Sequence, residues 1–496
     1  MGVVVRQSVI SSVISYLGVA IGYINLLYLY PRFLETEQVG LLRTIQDAAI
    51  LFAPFAQMGV AQSLIRFYPQ FHEDDRAARS FLSLMVCLAG IGFALFAVLF
   101  VAFQSTFLGY FQENAGAISE YGWLMLWLTL ILLLQSVFEA YSRSLLKTIL
   151  PNLLRDIVVR VMFGLLVLCY FWGWLSYPEF VISTVLANAL AVGILLFALW
   201  RGRQLRFSLP GSGINRAHTR TIVRYSVLSF AGTAGAIIVG KIDSIMVAGL
   251  LGLAANGIYT TAFYMATVIE IPKRALSQIA MPLISRAFEK KDTQDILIIY
   301  QKTALNQLII GGLLLLGVWA NLDAIFTLMP KGDEYAAGKY VVLFVGLGKL
   351  VDMFFGPSSE IIVLSRYYAF NIVLMLLLAA LVIVLNNVFI PLYGIEGAAV
   401  STAITLGTFN LVKFFFIRWK LQLQPFTAGT IKVLIIALFA VGVNQLLPTL
   451  PWILADIVYR SAILTLVYGA LVLVARVSPE ANDLFRTALR MLRLSK

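Results

Sequence analysis

The chain has 496 residues, of which 60% are hydrophobic, 13% aromatic and only 12% charged, about half the charged fraction (roughly 25%) of soluble globular chains, so it reads as a polytopic membrane protein and not as a soluble enzyme or binding module. A net charge of +12 does not make it a nucleic-acid binder, because no soluble, domain-sized segment exists to carry a basic face; basic cytoplasmic loops account for it. Cys87 and Cys169 fall inside apolar runs and His72 and His218 in separate loops, so neither a disulfide framework nor a metal site is expected, and no cofactor is implied.

Apolar runs of spanning length lie near 8–30, 40–67, 80–108, 120–141, 151–175, 177–200, 226–251, 257–283, 297–320, 338–364, 367–390, 394–417, 428–448 and 451–475. The expectation is an all-α fold with about fourteen transmembrane helices. The first run is too long for a signal-peptide core and lacks a small-residue cleavage pattern, so it reads as a retained span. With the N-terminus inside, the cytoplasmic loops hold Arg76 and Arg79, Arg143 and Lys147, six arginines between Arg201 and Arg224, then Arg286, Lys290, Lys291, Arg418 and Lys420. The opposite loops hold little beyond Arg32, Lys331 and Lys339. This asymmetry places both termini in the cytoplasm.

SVISYLG at 12–18 recurs as SVLSFAG at 226–232, and Gly40 corresponds to Gly257 once about three residues are inserted. The offset spans six helices, an even number, so the two copies would share one orientation and be related by an axis along the membrane normal. Low-complexity apolar similarity competes with duplication as an account of one shared heptapeptide. The reading is of two six-helix lobes around a central cavity, at 1–200 and 226–420, joined by a cytoplasmic linker at 201–225 that contains Pro210, Gly211, Ser212 and Gly213. Extra helices 13 and 14 follow as a hairpin at 421–476, where Asp456 precedes Arg460 by the four residues that let them pair on one face. The tail at 477–496 begins with Ser478 as N-cap and Pro479 at the first helical position, and separates Leu484, Phe485, Ala488, Leu489 and Leu492 from Arg486, Arg490 and Arg493. That is the pattern of an interfacial amphipathic helix on an anionic leaflet.

A charge at a helix centre in lipid costs at least roughly 2.5–3.5 kcal/mol, so charged residues inside a span are expected to face a protein interior or a watery cavity. They concentrate at 226–292, two apolar helices joined by a short turn, with Lys241 and Asp243 on the first and Glu270, Lys273 and Arg274 on the second. Pro272 removes a backbone donor beside them, and the helix is expected to bend there. Arg43 with Asp47, Glu270 with Lys273 and Arg274, and Lys349 with Asp352 are each spaced to pair within one helix. For Arg43–Asp47 and Lys349–Asp352 this structural role stands beside a binding role. On helices seven, eight and ten, Lys241, Lys273, Arg274 and Lys349 outnumber Asp243, Glu270 and Asp352 by one positive charge, which an anion would balance. Arg66, Glu139, Arg155, Asp156, Arg160, Glu360, Arg366 and Lys413 lie toward cytoplasmic helix ends, where snorkelling or an inner vestibule accounts for them.

Asp243, Gly252, Gly257, Tyr259 and Ala262 form D-x8-G-x4-G-x-Y-x2-A, followed by Pro272 and Pro282, and PLYGIEGAA at 391–399 forms P-x2-G-x2-G-A-A at the opening of helix twelve. On these motifs the chain resembles the polysaccharide-transporter branch of the multidrug/oligosaccharidyl-lipid/polysaccharide exporter superfamily, over nearly its whole length. The resemblance implies a flippase that moves a polyprenyl-pyrophosphate-linked oligosaccharide repeat unit from the inner to the outer leaflet of a bacterial cytoplasmic (inner) membrane. Its partners would be that lipid-linked oligosaccharide and the membrane lipids. The first span carries no charge, unlike the murein-precursor flippase branch, which typically has an Arg-Asp pair there; this leaves O-antigen, capsule or exopolysaccharide units.

A diphosphate cannot cross hydrocarbon bare, so Lys241, Lys273 and Arg274 are the first candidates to hold it, with Lys349 and Arg43 beside them. Asp243, Glu270 and Asp352 are candidates for proton (H+) or sodium (Na+) coupling, and rocking of the two lobes would alternate access. The competing reading is a cation-coupled multidrug exporter, a branch that usually stops at about twelve helices and uses a carboxylate-centred site. No enzyme is expected: 332–340 superficially resembles a phosphate loop, but the spacing before Gly338 and Lys339 is wrong and Tyr340 stands where a magnesium-binding hydroxyl is needed. The outer loops, near 105–120 and 321–339, offer only Asp333 and Glu334 as an acidic pair.

Overall fold

The computed structural model describes residues 2–71, 74–111, 115–209 and 216–483, and among these the regular structure is helical, with no strand. Ten helices among the described residues are long and apolar enough to span a membrane, eleven if the bent pair Gly332–Phe354 and Ser358–Leu364 is one span. The difference from the expected fourteen has local causes. The run near 151–175 is divided into Ile149–Leu153, a π-helical turn at Leu154–Val158 and a helix at Val159–Phe171. The run near 257–283 changes winding beside Pro272: Leu253–Thr267 passes through a 3-10 turn at Val268–Glu270 into Ile271–Lys290. Two expected spans are joined as Tyr368–Lys420, broken at Gly394, whose φ of 62° and ψ of −142° lie in a region that only glycine adopts freely.

The chain forms two compact units, Met1–Thr260 and Thr261–Lys496. The first contains α1 (Gly2–Ile24), α2 (Thr36–Gln57), α3 (Val60–Phe71), α4 (Asp75–Ala102), α5 (Ala115–Ser144), α6 (Val159–Phe171), α7 (Tyr177–Arg201), α8 (Arg216–Leu251) and the start of α9 (Leu253–Thr267). Several helix starts are encoded locally. Glu35 with Gln38 and Ser176 with Glu179 make reciprocal capping boxes, and Asp74 accepts from the backbone N–H groups of Arg76 and Ala77.

Lipid supplies no hydrophobic force between helices, so close backbone approach and interhelical hydrogen bonds hold this unit together. The first turn of α2 meets the first turn of α9 through two glycines. A Cβ on Gly40 would overlap the carbonyl oxygen of Leu253, and one on Gly257 would overlap that of Thr36. Asn256 Nδ2 donates to Thr44 Oγ1 at 2.9 Å, and the hydroxyls of Ser63 and Ser226 are 2.6 Å apart. Leu64, Phe81, Met85 and Val137 form a buried apolar cluster where α3, α4 and α5 meet. Ile91, Leu95 and Val98 of α4 stay exposed, as the acyl-chain face of a spanning helix must.

The second unit contains α10 (Ile271–Lys290), α11 (Thr293–Leu328), α12 (Lys339–Phe354), α13 (Ser358–Leu364), α14 (Tyr368–Lys420), α15 (Ala428–Leu446) and α16 (Ile453–Val474). The extra hairpin α15–α16 docks on α11 through Leu308, Val433, Ala440, Leu464 and Val472, and the Tyr468 hydroxyl donates to the Ile309 carbonyl at 3.0 Å. The expected Asp456–Arg460 pair forms, at 2.7 Å. It also closes the hairpin turn: Asp456 accepts from the Leu450 N–H at 2.9 Å, and Arg460 reaches the Pro448 carbonyl at 3.3 Å. Ser478 Oγ accepts from the Ala481 N–H at 3.3 Å as the expected cap. The remainder of the proposed amphipathic tail, 484–496, lies outside the described residues, as do His72 and 210–213 of the linker.

Candidate functional site

In the second unit, charged side chains from four segments converge. Lys273 and Arg274 stand on α10, with Glu270 in the 3-10 turn just before it; Lys349 and Asp352 stand on α12; Glu360 stands on α13; Lys413 stands on α14. A 3-10 turn next to Pro272 carries Glu270 just before the two cations that follow it.

The pairs run between helices. Lys349 Nζ lies 2.5 Å from Glu270 Oε2, and Lys273 is paired with Asp352. The Lys349–Asp352 pair expected within α12 is therefore replaced by two interhelical pairs, because neighbouring helices place a carboxylate in front of each long lysine stem. Arg274 keeps the expected partner, with Nε 3.6 Å from Glu270, but its side chain is 73% exposed. Lys273 and Lys349 are 17% exposed: held by carboxylates, yet still reachable.

Lys413 is the residue that sequence reasoning misplaced. Its side chain is 1% exposed, not snorkelling, with the ammonium 4.0 Å from Asp352 and donating to Ser359 Oγ at 3.0 Å. Asn410 Nδ2 donates to the same carboxylate at 3.0 Å. The signal was a polar stripe inside an apolar helix: Ser401, Thr402, Thr405, Asn410 and Lys413 are all buried on α14.

The first unit holds the other candidates. Lys241 Nζ pairs with Asp47 Oδ1 at 2.6 Å, so Asp47 serves α8 and not the Arg43–Asp47 pair expected within α2. Arg43 sits over the Tyr30 ring, 5.7 Å from its centroid, and approaches Gln46 at 3.4 Å. Asp243 is 3% exposed and accepts from the Tyr259 hydroxyl at 3.1 Å, which joins two residues of the D-x8-G-x4-G-x-Y motif. Chemically, a lysine held by a carboxylate can exchange it for another anion: an incoming phosphate would compete with the resident carboxylate for the ammonium.

The sequence model of a family described as polysaccharide biosynthesis protein matches residues 4–288. The chain is 23% identical over 292 residues to the probable low-salt glycan biosynthesis flippase Agl15 of Haloferax volcanii, a match that covers 55% of this chain and spans 60% of that protein's length. It is 21% identical over 429 residues to the uncharacterized membrane protein MJ1068 of Methanocaldococcus jannaschii, covering 83% of each. The fold is similar to that of the lipid II flippase MurJ in an inward closed conformation, with a TM-score of 0.76 and 12% identity over 93% of this chain and 98% of that one. It is also similar to an inward-facing multidrug resistance MATE family transporter, with a TM-score of 0.63 and 13% identity over 84% of this chain and 98% of that one. At such identities the likeness to solved structures is one of fold, a transporter fold with multiple membrane-spanning helices. Because the family match takes in more than half of the 496 residues, the chain belongs to the polysaccharide biosynthesis protein family, within the polysaccharide-transporter branch of the multidrug/oligosaccharidyl-lipid/polysaccharide exporter superfamily.

Proposed function

We propose that this protein flips polyprenyl-pyrophosphate-linked oligosaccharide repeat units across a bacterial cytoplasmic membrane by alternating access, for surface polysaccharide biosynthesis of the O-antigen, capsule or exopolysaccharide kind. The observation that carries the reading is the pair of partly exposed lysines, Lys273 of α10 and Lys349 of α12, each held by a carboxylate from a neighbouring segment. Family membership and the likeness to Agl15, a probable glycan biosynthesis flippase, support it. In this reading Lys241, Lys273 and Arg274 contact the diphosphate, with Lys349 and Arg43 beside them, and Asp243, Glu270 and Asp352 serve any proton or sodium coupling. Lobes at 1–200 and 226–420, a linker at 201–225 and cytoplasmic termini belong to the same proposal. An interior-negative potential favours outward movement of the anion by about 2.3 kcal/mol per charge per 100 mV.

Deletion of the gene tests it. Mass spectrometry of the lipid fraction is expected to show a lipid-linked repeat unit accumulating while surface glycan is lost. Intact surface glycan with no such accumulation rejects the reading. A cation-coupled multidrug exporter is the second reading, favoured by the MATE-like fold; it predicts increased drug susceptibility on deletion without any lipid-linked intermediate.

A further inference from the structure

Lys413 is buried, charged and unused by the function proposed above. At 1% exposure it cannot meet a cargo, whereas Lys273 can at 17%. Its ammonium rests 3.9 Å from the centroid of the Phe409 ring, donates to Ser359 Oγ at 3.0 Å and lies 4.0 Å from Asp352 Oδ1, just beyond hydrogen-bond reach. Asp352 Oδ2 takes the ammonium of Lys273, while Oδ1 faces Lys413 and accepts from Asn410 Nδ2 at 3.0 Å. One carboxylate therefore stands between an accessible lysine that it holds and an inaccessible lysine that it nearly touches. Glu360 of α13 acts on both lysines from further away, and Lys349 acts on Asp352 from its own helix.

For Lys273 to engage a phosphate it must leave Asp352, and a buried carboxylate stripped of its cation is strongly disfavoured. We propose that Lys413 is a positioning residue, a reserve counter-ion that closes on Asp352 as Lys273 turns to the anion and withdraws when Lys273 returns. This rests on the reading that Lys273 binds the diphosphate. No proton or electron moves in the exchange: one ammonium leaves the carboxylate as the other closes on it, so Asp352 keeps a cation partner throughout. Asn410 keeps the carboxylate aimed at Lys413 throughout, and the short approach asks only for a change of lysine rotamer.

The test is equilibrium binding of geranylgeranyl diphosphate to the full-length protein in nanodiscs. K413M is expected to weaken binding about tenfold, because Lys273 stays locked on Asp352, and K413R to remain within threefold of the unmodified protein. The double variant K413M/D352N is expected to recover binding to within threefold, since nothing then holds Lys273. A loss below threefold in K413M, or a double variant as weak as K413M, overturns the proposal. Should K413M not yield folded protein, the double variant, neutral on both sides, decides alone: binding within threefold of the unmodified protein supports the exchange, and tenfold weaker binding overturns it. Unchanged binding in K273M defeats the diphosphate reading itself, whereas weak K273M with unaffected K413M defeats only the exchange.

Discussion

At the scale of single residues, charge in the spans is held by partners that sequence spacing does not name. Asp47 has a cation four residues before it, yet pairs with Lys241, 194 positions away. The reason is geometric: Arg43 lies over the Tyr30 ring, while α8 packs against α2 and delivers an ammonium directly to the carboxylate. Asp47 is 4% exposed in that pair. Removing the cation leaves a buried carboxylate, so K241M is expected to cost roughly 3–5 kcal/mol of stability. The double variant K241M/D47N should recover most of that loss, as measured by unfolding in mixed micelles. A K241M protein of unchanged stability would show that the pair is solvated rather than buried.

At the scale of helices, two kinds of glycine do different work. Gly394 has open space where a Cβ would go, but its φ of 62° lies in glycine's territory, so G394A is expected to cost about 1–3 kcal/mol through backbone strain alone. Gly40 and Gly257 sit where a Cβ would overlap a carbonyl of the facing helix. G40V or G257V should force α2 and α9 apart at their first turns and cost about 1–3 kcal/mol or more through overpacking. Thermal unfolding in detergent distinguishes the cases. A serine or alanine at position 394 should do equal harm, whereas at 257 the loss should grow with side-chain size. The sequence motif P-x2-G-x2-G-A-A made the first kind legible. Of the second kind, Gly257 stood in the D-x8-G-x4-G-x-Y-x2-A motif and Gly40 only as its repeat correspondent, with no hint that the two glycines meet.

At the scale of the whole molecule, the distribution of basic loops leads to a topology prediction. Reporter fusions at the N-terminus and after residue 483 are expected to be active only with a cytoplasmic reporter, and a fusion in the turn between α8 and α9 only with an exported one. Opposite results would place both termini outside and overturn the reading of the basic loops as cytoplasmic. The same membrane setting explains the exposed apolar residues: Leu438, Leu466 and Val474 of the α15–α16 hairpin are 73%, 70% and 81% exposed in a chain that must present hydrocarbon to lipid.

Composition and periodicity by themselves determined the all-α membrane class, the positions of nearly all helices, the Asp456–Arg460 pair and the Ser478 cap, because each depends on contacts within a few residues. Only the tertiary structure decided which carboxylate holds Lys273, Lys349 or Lys241, and that Lys413 is buried beside Asp352 rather than snorkelling. The physical reason is that an ion pair in lipid is chosen by which helices pack side by side. A lysine stem is long enough to take any carboxylate that a neighbouring helix offers, so spacing along one chain segment names candidates without selecting among them.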